Sequence, residues 1–347
     1  MPRNISKRLT IIDVAHAAGV SIQTVSRVIN SKPDVSNETR KRVEAVVQEL
    51  GYKPSNIARS LIQQRSYTIG VVTAGLKYIG PSWTLHGIAQ QAEEKGYTLL
   101  LKELPSFDTN NVQYLVDSLL SRHVDGIIWA APEIGENRKW IEENSIDLSV
   151  PIIFLSMHPI EGISIIDVDN YLGGQIAAQH LIDYGYKNVG LISGPLDWLV
   201  ARQRKLGWEN VLSKNQREMT PRTWAEGNWS SASGEKAFQQ LLDQYPEIDA
   251  VFAANDQMAL GAMSYAFLHS IRIPQDIAIV GFDDIAEAEY FAPPLTTVRQ
   301  DLLNLGCTAV NEVVCAIEEM REGKACRSNN LLLSPQLIIR QSSVSKL

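Results

Sequence analysis

Apolar positions recur at helical spacing through the first fifty residues, and from residue 67 onward they gather into short continuous runs. Between Thr10 and Asn30 (TIIDVAHAAGVSIQTVSRVIN) two short amphipathic stretches meet at a Gly-Val break. Val14, Ala15 and Ala18 repeat as one helical face. Thr10 and Asp13 have the spacing of a capping box, Gly19 suits the left-handed conformation that ends a helix, and Ser21 suits the N-cap of the next. On that second helix Val25, Val28 and Ile29 point inward, which leaves Ile22, Gln23, Ser26 and Arg27 on the other face. A small Ala, a turn Gly and an inward Val let two helices cross closely, as a helix-turn-helix requires. The second helix would then lie in a major groove, with Gln23 and Arg27 toward base edges. An ordinary helical hairpin is the alternative reading.

Ser36 caps a third predicted helix (36–50) with Val43, Val46, Val47 and Leu50 on its apolar face and Gly51 closing it. Arg40, Lys41 and Arg42 stand in its first half, within reach of a phosphate backbone or simply solvated. KPSNIARSLIQQRS follows, with a helical stripe at Ile57, Ala58 and Leu61 too short to persist alone in water. Beyond it the pattern alternates. Strands are predicted at 68–74, 97–102, 125–131, 151–156, 163–168, 188–193, 222–226, 248–254 and 277–283, with two more near 331–333 and 336–340. Helices are predicted at 82–95, 109–122, 136–145, 171–184, 199–214, 232–243, 256–269 and 301–322, the last after a loop, APPLTTVRQD. Val/Ile/Leu runs between helices mark a parallel sheet covered on both faces. There are too many units for one sheet, so an α/β body of two doubly wound subdomains is expected. Its ligand site should lie at the carboxyl ends of the strands, between the halves.

Charge sharpens this division. The 347-residue chain carries a net charge of −7, yet residues 1–66 hold 11 Lys/Arg against 5 Asp/Glu. A basic head on an acidic body suits a head that meets phosphates. The cysteines, Cys307, Cys315 and Cys326, have no metal-ligand spacing and are expected as buried thiols in a reducing compartment. No apolar run reaches membrane length and no signal peptide precedes the first helix, so a cytoplasmic location without membrane contact is expected. Enzyme classes find no support: phosphate loop, GxSxG and metal cluster are missing, and the six His form no local constellation. No cofactor is expected. A periplasmic sugar-binding protein would share the two-lobed body but would need an export signal in place of the basic head.

The motifs DVAHAAGVSIQTVSRVIN and GYKPSNIARSL in the head, with GPLDWLVARQRKLGW, EGNWSSASG, ANDQMALGAM, GFDDIAEAEYFAPPLTTVRQD and the early GPSW in the body, resemble the LacI/GalR family of bacterial transcription regulators over essentially the whole chain. They are closest to the family's lactose-responsive member. The resemblance implies a helix-turn-helix headpiece (1–52), a hinge helix and linker (53–66), and a periplasmic-binding-protein-like core (67–347). The core's N-subdomain would span about 67–168 and 300–329, and its C-subdomain about 169–299 and 330–342. It implies a repressor of double-stranded operator DNA released by a small sugar, or else a member answering to a purine corepressor or a partner protein. DNA contact falls by resemblance to Thr10, Ser21, Ile22, Gln23, Thr24, Ser26, Arg27, Asn30, Asn56, Ala58 and Leu61, the last as a wedge that kinks the minor groove.

A polyol site needs planar, bidentate polar groups and an aromatic or apolar face. Asp283, Asn255 and Arg204 offer the first and Trp229 the second, and each matches a family ligand contact, as do Gln300 and Arg202. Asp283 and Asn255 also stand where helix caps belong, and Arg202 equally suits a structural ion pair. Gly80, Pro81 and Ser82 match the first-subdomain wall. Three departures matter. Ser156 stands where the lactose-responsive member has a sugar-contacting aspartate, Leu302 replaces an aromatic beside Gln300, and Val200 replaces a serine. In the second helix Ile22 replaces a tyrosine, so a related but different operator is expected. The chain stops at Leu347 without the heptad tail that makes tetramers, so a homodimer is expected.

Overall fold

The computed structural model describes residues 9–29, 32–52, 65–104, 112–134, 141, 149–324 and 328–344. Asn30, Asn56, Ala58, Leu61 and all but one residue of the predicted helix 136–145 lie outside them. The chain divides into two compact units, Met1–Tyr67 and Thr68–Leu347.

In the first unit, α1 (Ile11–Ala18), α2 (Ile22–Ile29) and α3 (Asn37–Leu50) enclose a small core of Val14, Ala15, Ala18, Val25, Val28 and Val43. Local chemistry sets both ends of α1 and the start of α2. Asp13 Oδ2 accepts the Thr10 N–H at 2.8 Å, and Gly19 takes φ +64° so that its own N–H and that of Val20 close the last turn of α1. Ser21 Oγ accepts the Thr24 N–H at 3.1 Å to start α2. Arg40 reaches back from α3 to the carbonyls of Lys32 at 2.5 Å and Val28 at 3.5 Å, which places a cation at the negative end of α2.

The second unit holds two six-stranded sheets. Strands β1 (Thr68–Thr73), β2 (Thr98–Glu103), β3 (Gly126–Ala130), β4 (Ile152–Leu155), β5 (Ser164–Val168) and β11 (Asn330–Leu333) form the first in the order β11-β5-β4-β3-β1-β2, all parallel. The second comprises β6 (Val189–Ser193), β7 (Trp224–Glu226), β8 (Ala250–Ala253), β9 (Ala278–Asp283), β10 (Thr296–Arg299) and β12 (Gln336–Ile338), ordered β12-β10-β9-β8-β6-β7. Only its β10–β12 pair is antiparallel. Successive strand residues feed opposite faces: Ile127 and Trp129 enter one core of the first sheet and Ile128 the other. Helices α4 (Ile79–Glu94), α5 (Gln113–Leu120) and α10 (Leu302–Arg321) serve the first sheet. Helices α6 (Asn170–Asp183), α7 (Leu199–Lys214), α8 (Ser231–Gln244) and α9 (Asp256–Leu268) serve the second.

The sequence reading needs four corrections. The presumed loop APPLTTVRQD contains β10, which pairs with β9 from Thr296↔Val280 onward. The expected crossing at residue 330 falls later: β11 pairs in parallel with β5, so the chain crosses only between Leu333 and Gln336. Helix α4 begins at Ile79 and not at 82, because Pro81 falls in the first turn, where its missing N–H has no helical partner to lose. The thiols are less buried than expected: Cys307 is half-buried and Cys315 exposed, while Cys326 lies outside the described residues. Among the described residues no helix is long and apolar enough to cross a membrane.

Candidate functional site

On the head, the face of α2 away from the core carries the expected readers. Ser21, Ile22, Gln23 and Arg27 are exposed, Thr24 and Ser26 half-buried, and Thr10 exposed at the start of α1. Arg27 Nη1 lies 3.2 Å from Asp34 Oδ2, an exposed pair that a competing partner can open at little cost. Arg40 is committed to the carbonyls at the end of α2 and is structural.

In the body a cavity of about 520 Å³ opens where the carboxyl ends of both sheets face one another. Four local devices aim its side chains. At the end of β9, Asp283 and Asp284 both have positive φ (+116° and +53°). Asp284 secures this turn by accepting from Arg299 Nε at 2.6 Å and Arg340 Nη2 at 2.7 Å, which turns Asp283 into the cavity. Trp229 also has positive φ (+70°), in a loop where Asn228 Oδ1 accepts from Ser230 Oγ at 2.6 Å and Ser230 caps α8. Gly194 makes room for the ring, since a Cβ there would overlap the indole. Asn255 caps α9 by accepting the Met258 N–H at 2.9 Å, while its Nδ2 donates to the Trp229 carbonyl at 3.0 Å. Gly174 and Gly207 let α6 and α7 approach until a Cβ at Gly174 would meet the Arg204 carbonyl.

That approach places Arg204 at the centre. Its Nε donates to Asn170 Oδ1 at 2.9 Å and its Nη1 to the Ala254 carbonyl at 2.5 Å. The guanidinium lies 3.7 Å over the Phe282 ring and 3.8 Å from Asp283 Oδ1, which also accepts from Gln300 Nε2 at 2.5 Å. Three buried carboxyls surround this one cation. Burial pushes Asp283 up to about 6, opposed by Arg204 and Gln300, and pushes Asp167 up to about 7, opposed by Ser156, Val168 and Arg204. Asp256 is held well above the usual carboxylate range by burial and by Asp283. Arg204 is itself lowered to about 10 by burial, against the pull of the three carboxylates.

Of the ten residues expected around an effector, Gly80, Pro81, Ser156, Arg204, Trp229, Asn255, Asp283 and Gln300 line the cavity. Ser82 does not: its hydroxyl donates to the Leu76 carbonyl at 2.5 Å. Nor does Arg202, whose Nη1 closes the preceding loop on the carbonyls of Leu196 at 3.0 Å and Asp197 at 2.9 Å, with Glu133 3.8 Å from Nη2. Sequence reasoning passed over Asp167, Asn170, Tyr78 and Trp198, all in the wall. Tyr78, Trp198 and Trp229 meet edge to face at 5.4 and 5.8 Å, an aromatic shelf built from both halves. Asp167 had a signal, a lone carboxylate in the apolar run ISIIDV.

Comparison with known proteins identifies the family. Residues 10–55 match the model of bacterial regulatory proteins of the lacI family, and residues 178–343 that of the periplasmic binding protein-like domain. The lactose operon repressor of Escherichia coli (strain K12) is 35% identical over 326 residues, 94% of this chain and 88% of its own length. The HTH-type transcriptional repressor PurR of Haemophilus influenzae (strain PittEE) is 33% identical over 338 residues, 96% of this chain and 98% of its own. Among solved structures, the lac repressor dimer bound to operator and the anti-inducer ONPF superposes with a TM-score of 0.87 at 34% identity, covering 98% of this chain and all of that one. The chain belongs to the LacI family of bacterial regulatory proteins and is a DNA-binding transcriptional repressor with a helix-turn-helix head and an effector-binding body.

Proposed function

We propose that this repressor acts in the cytoplasm as a homodimer and leaves its operator when a small saccharide occupies the body's cavity. One observation carries the reading: an aromatic shelf of Tyr78, Trp198 and Trp229 faces the bidentate groups of Asp283, Arg204, Asn255 and Gln300 across about 520 Å³. Sugar rings offer an apolar face and a rim of hydroxyls, and this wall complements both. Contacts from both lobes allow a bound sugar to favour one lobe arrangement over another, and its differential affinity limits the effect, typically to 1–3 kcal/mol.

The test starts from duplexes selected out of a random pool by the full chain. Their binding is followed by fluorescence anisotropy while sugars are added. A sugar that weakens binding about 5- to 150-fold supports the reading. Similarity to PurR at nearly the same identity as to the lactose operon repressor favours a second reading, a purine corepressor. A purine that tightens DNA binding, with sugars inert, would establish that one instead.

A further inference from the structure

The first-lobe wall holds a carboxylate that the family resemblance does not supply. Ser156 stands where the lactose-responsive member carries an aspartate, so this wall should be short of one acceptor. The structure puts an acceptor back from the next strand. Asp167, near the end of β5, lines the cavity at 3% exposure, and its Oδ1 accepts from Ser156 Oγ at 3.0 Å and from the Val168 N–H at 2.8 Å. Its Oδ2 has no hydrogen-bond partner among the described residues. On the opposite wall Asp283 is in the same condition: Gln300 and Arg204 both approach Oδ1. Each lobe therefore presents one uncommitted carboxyl oxygen to the same space, with Arg204 as the only buried cation among the described lining residues. A ligand hydroxyl donated to either oxygen would make a hydrogen bond that the described protein groups do not supply. A ligand phosphate would instead add negative charge beside two carboxyls in a medium of low dielectric.

We propose that Asp167 is a specificity-determining effector contact, accepting sugar hydroxyls in place of the carboxylate absent at position 156, and that with Asp283 it restricts the effector to polyols without anionic groups. This rests on the sugar reading above. It adds a named acceptor on the first lobe and the exclusion of phosphorylated sugars.

The experiment uses isothermal titration of the full chain with glucose, galactose, ribose, lactose and cellobiose, then with glucose 6-phosphate and ribose 5-phosphate. The best sugar is compared with its monodeoxy analogues in the native chain, in Asp167→Asn and in Asp167→Ala. The expected result is binding of a neutral sugar, no binding of the phosphates, and at least a tenfold loss in both variants. One deoxy analogue should bind at least tenfold more weakly than its parent to the native chain yet equally with its parent to Asp167→Ala, since the hydroxyl and its acceptor form one coupled pair. A merely structural role for Asp167 would leave that discrimination intact. Should Asp167→Ala fail to fold, Asp167→Asn decides, and full retention of every deoxy preference there overturns the proposal. So does tight binding of either phosphate, or affinity within twofold of native in both variants, and in those cases the sugar reading survives. Failure of every sugar, phosphorylated or not, overturns both together.

Discussion

Asn255 and Trp229 hold one another in place: the Asn255 amide donates to the Trp229 carbonyl at 3.0 Å while its own Oδ1 caps α9. The indole Nε1 is buried without a partner among the described residues, so the ring is positioned by its backbone and its neighbours and keeps a donor in reserve. The cap expected of Asn255 is in place, and its Nδ2 also donates to Gln257 Oε1 at 2.8 Å, so a ligand would find only a remaining lone pair on Oδ1.

The fit of that ring to Gly194 gives a first prediction. Gly194→Ala would set a methyl on the indole, and Trp229 must swing or the loop must move. Overpacking of this kind costs about 1–3 kcal/mol. We expect a lower melting temperature and at least a tenfold loss of sugar affinity by calorimetry, with operator binding unchanged. Native sugar affinity in Gly194→Ala would show that Trp229 is not part of the binding wall.

Arg204 is expected to matter for stability before it matters for ligand. Removing it takes the donor from Asn170 Oδ1 and the Ala254 carbonyl and leaves Asp283 only Gln300, and breaking a buried pair from one side costs about 3–5 kcal/mol. Thermal unfolding of Arg204→Ala should show that loss. Asp283→Asn, which keeps the shape and an acceptor oxygen, should remain folded, bind operator and fail to respond to sugar. An Arg204→Ala protein as stable as the native one would contradict the burial argument.

The raised carboxyls set a pH dependence. Asp167 is pushed up to about 7 in the folded chain from an ordinary value of 3.8, so folding favours its protonated form. That contribution is fully present below about pH 4 and is lost as the pH climbs to about 7. Asp167→Asn is neutral throughout, so its melting temperature relative to the native chain should rise between pH 5 and pH 8. A difference that stays flat over that range would place Asp167 in a wetter setting than the fold gives it.

On the head, Gln23→Ala and Arg27→Ala should each cost about 1–3 kcal/mol on the selected duplex and little on random DNA. Arg40→Ala should behave differently, because its guanidinium serves the end of α2. It should lower head stability and leave the salt slope of DNA binding unchanged. A slope reduced by about 0.9 would instead mark Arg40 as a phosphate contact.

How much of this was legible beforehand follows from range. The head could be read because each of its signals acts within one turn: Asp13 on Thr10, Ser21 on Thr24, Gly19 on its own backbone. The alternating strands and helices were readable for the same reason. Strand β10 was not, since a four-residue Thr-Thr-Val-Arg stretch behind Pro293-Pro294 has the composition of a loop and becomes a strand only by pairing with β9 and β12. Arg202 and Arg204 sit two positions apart on α7, where spacing alone puts them on different faces but does not say which one meets the cavity. Asp167 and Asn170 gained meaning only when strand ends from two lobes converged.

Strand β11 ties the order of synthesis to the order of folding. The head's core is complete once α3 has emerged, but the first sheet lacks its edge until residues 330–333 are made, and the second lacks its own until 336–338. On the ribosome the head's core is therefore complete well before either sheet gains its last edge strand. A chain ended before residue 330 would carry a complete head core followed by two sheets that each lack one edge strand.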